Sequence, residues 1–152
     1  MSTYFDLIMI PLQLLIVFFT IYYFTLSFFG LFGRRPEEKI YDEQKTFAMI
    51  VCAHNEEQVI GQLVENLHLL NYSDHLYDIF VVADNWTDKT AEVASAGGAN
   101  VHVRENKQEI GKGYAMGWMF DRVEQMDRKY DAFLIFDADN LVHPQFMLEM
   151  ND

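Results

Sequence analysis

The sequence is poor in three things. It has one cysteine, only 11 lysines and arginines against 23 aspartates and glutamates, and no charged residue between Leu7 and Gly33. The lone Cys52, set in an apolar run, can form no internal disulfide and fits a reducing compartment. The five histidines are scattered and no Cys/His spacing occurs, which excludes a structural zinc site. A formal net charge of −12 leaves nothing to neutralise a phosphate backbone and excludes nucleic acid as a partner. An acidic domain that handles phosphates instead needs a divalent metal as go-between. Internal repeats and low-complexity segments are also lacking.

The charge-free stretch predicts a helix about 40 Å long, more than the roughly 20 residues that cross a bilayer's hydrocarbon. A signal peptide would have a basic start and small residues at a cleavage site, whereas Asp6 precedes this run and Phe28-Phe29-Gly30-Leu31-Phe32 closes it. A buried soluble helix is the poorer reading, because a helix of a soluble domain ordinarily turns a polar face to water and Ile8 to Phe32 has none. Residues 1–6 are therefore read as an N-terminal tail and 7–33 as a transmembrane helix. Arg34 and Arg35 follow it and no Lys or Arg precedes it, so the positive-inside rule puts the rest of the chain on the cytoplasmic side of the plasma membrane. Residues 34–45, with Pro36 and four acidic residues, form a linker.

From residue 46 onward the pattern alternates. Phe47 to Ala53, Ile79 to Val82 and Phe133 to Phe136 are continuous apolar runs of strand length, and Val101 to Val103 is a minor strand. Between them, Glu56 to Leu70, Thr90 to Ala96 and Tyr114 to Met126 read as helices. Strands that are apolar without alternation, separated by helices, indicate a parallel sheet covered on both faces. The fold class is α/β, doubly wound and Rossmann-like. Ligands in such sheets bind at the carboxyl ends of the strands. Four segments fall there: His54-Asn55-Glu56-Glu57, Asp84 to Asp88, Gly111-Lys112-Gly113 and Asp137-Ala138-Asp139.

In extended backbone Asp137 and Asp139 project to the same side, roughly 6.5 to 7 Å apart. Two carboxylates so placed repel unless a cation lies between them, and together they can hold one hard metal ion. A solvated turn after the strand is the bland alternative. Asp84 can accept from a ribose hydroxyl or a base N–H, or else cap the following helix. Asp88 suits an N-cap, and carboxylates at Glu56 and Glu57 suit a first helical turn. Trp86 could stack on a base, although packing at the loop edge is commoner. Lys112 is a reasonable phosphate contact before a helix. Three known signatures fail at particular residues. A haloacid-dehalogenase phosphatase needs Thr or Val where Leu141 stands. A P-loop needs Gly at Asn106 and Ser or Thr at Gly113, and a Rossmann glycine motif needs Gly at Met116.

Taken together, in order and spacing, the four loops resemble the nucleotide-binding half of family 2 glycosyltransferases, the inverting GT-A enzymes that include cellulose, chitin and hyaluronan synthases. The resemblance runs from Phe47 to Asp152 and makes 46–152 a nucleotide-sugar-binding region. It rests on Ala53-His54-Asn55-Glu56-Glu57, Val81 to Thr90, Gly111-Lys112-Gly113-Tyr114-Ala115 and Phe136 to Asn140. It implies that Ala53, Asn55, Glu56 and Asp84 hold the nucleotide, typically uridine. It also implies that Lys112, Asp137 and Ala138 lie beside the nucleotide or diphosphate, and that Asp139 and Asp137 bind Mg²⁺ or Mn²⁺. The implied partners are a UDP-linked sugar donor, a saccharide or lipid acceptor and the membrane. The strand before the two aspartates is expected to be central. Departures fall at Cys52, where the family often has Pro, and at Ala83, Asn85 and Trp86, where it often has Asp, Gly and Ser; these bear on base preference. The family's general base and a Gln-x-x-Arg-Trp type motif belong beyond Asp152, so no catalytic base is assigned and the chain alone is expected to turn over little. A non-catalytic, membrane-tethered binding subunit is the alternative.

Overall fold

The computed structural model describes residues 2–31 and 45–151. The chain divides into two compact units, Met1–Ile40 and Tyr41–Asp152. In the first, α1 (Ser2–Leu31) runs for 30 residues, reaching back through most of the expected tail. From Phe5 on, nearly every side chain is exposed. The two threonine hydroxyls bond within the helix, Thr20 to the Ile16 carbonyl at 2.8 Å and Thr25 to the Ile21 carbonyl at 2.7 Å, so neither needs water. The helix is long and apolar enough to cross a membrane, a property that signal sequences share. Phe32, Gly33 and the paired Arg34 and Arg35 lie outside the described residues, as does almost all of the predicted linker.

The second unit is a four-stranded, wholly parallel sheet with strand order β3-β2-β1-β4. Its strands are β1 (Phe47–Ala53), β2 (Tyr77–Asp84), β3 (Asn100–Arg104) and β4 (Ala132–Asp137). The helices are α2 (Ile60–His68), α3 (Thr90–Ala96), α4 (Lys112–Glu124) and α5 (Phe146–Met150). Strand side chains alternate between faces, and in β1 both faces are covered. Phe47, Met49, Val51 and Ala53 join Ile60, Leu63, Val64 and Leu67 of α2 in one core. Ala48 and Ile50 join Phe80, Val82 and the α4 residues Ala115, Met119 and Val123 in the other. This two-sided burial is why the run lacks polar alternation.

Three differences from the sequence reading have physical causes. Helix α2 starts at Ile60 rather than Glu56 because Asn55 takes a left-handed conformation, φ 57°, and Glu56 to Val59 spend themselves on a turn closed by bonds from Val59 and Ile60 N–H to the Glu56 carbonyl. Helix α5 has five residues and one buried side chain, Met147, too few to leave a periodic signal. The strand before the aspartates, β4, is not central: among the described strands it lies at the sheet edge, paired only with β1. Its inward residues Leu134 and Phe136 are buried, whereas Phe133 and Ile135 are 38% and 44% exposed, with Phe133 packed edge-on against Phe120 of α4 at 5.1 Å.

The smaller core under α4 has few residues to spare. Met119 is fully buried there, so Met119→Ala is expected to cost about 2–5 kcal/mol and to lower the thermal unfolding midpoint of the detergent-solubilised chain. A change of under a degree would show that α4 is not packed as described.

Candidate functional site

Parallel strands end on one edge, and there the loops fasten to one another. The β1 and β2 loops are clasped by hydrogen bonds in both directions. The Asn55 Oδ1 accepts from Thr87 N–H at 2.7 Å and from the Thr87 hydroxyl at 3.2 Å. Glu57 N–H donates to Asp88 Oδ2 at 3.1 Å, while Lys89 N–H donates to Glu57 Oε2 at 2.9 Å. The buried Thr90 hydroxyl receives Glu56 N–H at 2.8 Å and itself donates to Asp88 Oδ1 at 2.5 Å. Asp88, which also accepts from Thr90 N–H at 2.9 Å, thus caps the start of α3 and ties it to the β1 loop. Desolvation pushes its carboxyl up, but the bonds from Thr90 and Glu57 outweigh that and hold it below its ordinary value.

Next to this clasp, Asp84 ends β2 with its side chain 9% exposed. Its Oδ1 accepts from Arg104 Nη1 at 2.6 Å, and the Arg104 side chain is 3% exposed. The backbone then turns left-handed at Asn85, φ 49°, a conformation that asparagine tolerates better than most residues. Asn85 therefore meets the backbone demand of a glycine position and uses its side chain as well. Its Oδ1 accepts from Asn106 N–H at 2.9 Å, and its Nδ2 donates to the Asn106 carbonyl and to Asp84 Oδ1, both at 3.1 Å. Across the turn, His54 Nδ1 lies 2.7 Å from the Asp84 carbonyl; a carbonyl only accepts, so Nδ1 carries the proton.

These residues wall a cavity of about 240 Å³ lined by Cys52, Ala53, His54, Asp84, Ile110, Gly111, Lys112 and Ala115. Gly111 has φ 124°, which lets the chain swing into α4 beside it. Lys112, the first residue of α4, directs its ammonium away from the helix to Asp137 Oδ1. At the β4 end, Asn140 shapes the aspartate turn: its Oδ1 accepts Asp137 N–H at 2.9 Å and its N–H donates to the Asp137 carbonyl at 3.0 Å.

Of the residues singled out in the sequence, Ala53, Asp84 and Lys112 line the cavity, and Asp137 joins them through Lys112. Asn55 serves the clasp with its side-chain oxygen and Glu56 with its backbone N–H. Ala138 is buried in the larger core, while Asp139 is exposed on the turn. His54, within the first loop segment, and Cys52, noted as a departure from the family's pattern, also line the cavity; Ile110 lines it without having been singled out, and Arg104 stands behind Asp84. Arg104 was detectable in principle as the one basic residue where β3 ends. Among the described residues no three His, Cys, Asp or Glu side chains converge into a metal site. Asp137 and Asp139 are the oxygen donors that a hard cation keeping most of its waters takes beside substrate phosphates, but they do not continue the extended backbone expected for them: Ala138 and Asp139 lie in a turn closed by Asn140 N–H to the Asp137 carbonyl at 3.0 Å.

The sequence profile described as Glycosyl transferase family 2 matches residues 48–150. The chain belongs to that family. A curated relative, the beta-monoglucosyldiacylglycerol synthase of Nostoc sp., is 29% identical over 122 residues, covering 77% of this chain and 25% of its own length. Solved structures share the fold. One is the mannosyltransferase of Pyrobaculum calidifontis in complex with GDP-Man and Mn²⁺, with TM-score 0.57, 19% identity, and coverage of 73% of this chain and 34% of that one. Another is glucosyl-3-phosphoglycerate synthase of Mycobacterium tuberculosis with Mg²⁺ and UDP, with TM-score 0.53, 26% identity, and coverage of 68% and 37%. The chain spans about a quarter of the length of the curated relatives it matches.

Two tests follow from the geometry. Burial, followed by the opposing influences of Lys112 and the nearby carboxylates, pushes the Cys52 thiol up to about 11. At pH 8, alkylation by iodoacetamide is therefore expected to be about a hundredfold slower than for free cysteine, and a rate near that of free thiol would contradict the burial. Because the Asp88 carboxyl sits lower in the folded chain than in the unfolded one, its contribution to the clasp is complete above about pH 4 and lost as pH falls through its folded value. Asp88→Asn should lower the unfolding midpoint at pH 7, and the gap from wild type should shrink below pH 4.

Proposed function

We propose that this chain is the donor-binding part of a membrane-anchored glycosyltransferase that takes a nucleoside-diphosphate sugar, UDP-linked, and passes the sugar with inversion to a saccharide or lipid acceptor. The observation that carries the reading is the Lys112–Asp137 pair. It joins the cavity under Asp84 to the two-carboxylate turn, so a nucleoside and its diphosphate have adjoining places. Ala53 leaves room at the cavity wall for a flat base, and Asp84 offers the acceptor for a base or ribose donor. Lys112, 44% exposed and paired among the described residues with Asp137, can move its charge onto a phosphate oxygen. Asp137 and Asp139 would hold Mg²⁺ or Mn²⁺, which when bound neutralises charge on the departing diphosphate.

Family membership supports the reaction class, and the Mycobacterium tuberculosis relative with Mg²⁺ and UDP supports the donor and the metal. The Nostoc sp. relative, whose name specifies a diacylglycerol product, supports a lipid acceptor. The helix α1 would keep the donor site at the cytoplasmic surface of the plasma membrane with 34–45 as linker.

Calorimetric titration of UDP into the detergent-solubilised chain tests this. Binding in the presence of Mn²⁺ is expected to fall at least tenfold without metal, and comparably in Asp139→Ala, which removes one of two charged ligands. UDP binding that ignores both the metal and Asp139 would sink the metal assignment. No binding in any condition would sink the donor site.

A further inference from the structure

Asp84 lines the cavity, and its carboxylate does not offer both its oxygens. Oδ1 accepts from Arg104 Nη1 at 2.6 Å and from Asn85 Nδ2 at 3.1 Å. A carboxylate oxygen has about two lone-pair sites, so Oδ1 is filled. Oδ2 accepts no hydrogen bond among the described residues. Neither donor can easily swing away. Arg104 is buried, and its Nη2 donates to the Glu109 carbonyl at 2.9 Å and faces the Glu109 carboxylate at 3.6 Å. Asn85 is pinned to Asn106 through both ends of its amide. Arg104 does not line the cavity, whereas Asp84 does, so Arg104 acts on a ligand through the groups it holds, Asp84 first.

Resting on the donor reading above, we propose that Arg104 is a positioning residue that sets nucleobase choice. By filling Oδ1 it leaves Asp84 one open acceptor, which favours uracil over guanine. The uracil edge offers a single N–H, at N3, flanked by two carbonyl oxygens. An open Oδ1 would repel one of those carbonyls, and Arg104 removes that repulsion by occupying its lone pairs. Guanine instead presents two adjacent donors, N1–H and the N2 amino group, which match a carboxylate with both oxygens open. In the folded site one of those two donors would meet an oxygen already taken, and a buried donor left unpaired weakens binding. The segment between Arg104 and Glu109 is part of the same device. The guanidinium fastens it next to Ile110 and Gly111 of the cavity wall, so the base acceptor and the wall move together.

The test measures UDP and GDP affinities, with Mn²⁺, for the wild-type chain, Arg104→Met and Arg104→Lys. Wild type is expected to favour UDP by about tenfold or more, and Arg104→Met to lose most of that ratio. Arg104→Lys, which keeps the charge but donates from a single nitrogen, should recover part of it. The ratio of two affinities on one preparation does not depend on the fraction folded, so a purely structural role would leave it unmoved. An unchanged ratio in Arg104→Met with intact UDP binding overturns the role of Arg104 and leaves the donor site standing. Wild type that binds GDP as well as UDP overturns it too. Silence of wild type toward both nucleotides overturns the donor reading and this inference with it. If Arg104→Met binds neither, the Arg104→Lys ratio decides in the same two directions.

Discussion

Parallel pairing is the constraint on which the rest depends. Strand β1 pairs in parallel with β2 on one side and β4 on the other, and β2 with β3, so every crossover must return the chain to the same edge before the next strand begins. All four strands therefore end together. The register places Ala53 beside Ala83, Cys52 beside Asp137, and Asp84 beside Arg104. A slip of one residue would send each of these side chains to the opposite face. What prevents it is burial: Phe47 to Val51 are all within 1% of full burial, and reversing the strand would exchange two cores of different shape.

On that edge the site has two halves of unlike stiffness. The half formed by the β1, β2 and β3 ends is cross-linked by side chains: Asn55 to Thr87, Glu57 with Asp88 and Lys89, Asn85 to Asn106, and Arg104 to Asp84 and Glu109. Two left-handed asparagines, Asn55 and Asn85, are held by these bonds, and such conformations persist where the surroundings over-determine them. The other half, Lys112 with Asp137 and Asp139, is exposed and rests on one ion pair and the Asn140 turn. A base is rigid and planar and rewards a fixed cradle, whereas a diphosphate with its metal rearranges as charge moves. On the donor reading proposed above, the division of stiffness suits a ligand with those two parts.

The polar network also explains why so acidic a surface can be stable at this edge. Asp84 is compensated by Arg104, Asp137 by Lys112, and Asp88 by N–H and O–H donors. Asp84 and Asp88 take donors from other strand ends and Asp137 takes its donor from the start of α4, so the electrostatics and the loop geometry are one set of contacts.

The sequence by itself determined the parallel α/β class, because β1 and β2 are apolar without alternation, and it determined the long helix, because Leu7 to Gly33 carries no charge. It also located three of the four loops, since strand ends are marked by an abrupt change from apolar to polar at His54, Asp84 and Asp137; the fourth is marked by Gly111 and Gly113 at the start of α4. These are local signals of pattern. The tertiary structure decided which polar residues look into the cavity and which hold the loops: Asn55 and Glu57 read as site or capping residues alike until their partners at Thr87 and Lys89 came into contact, and Arg104 read as an ordinary strand end until Asp84 met it 20 residues away in sequence. It also decided that β4 lies at the edge among the described strands, because its apolar run has the same composition in either position. Hydrogen-bond partners across loops depend on register and crossover direction, and no property of a single segment encodes them.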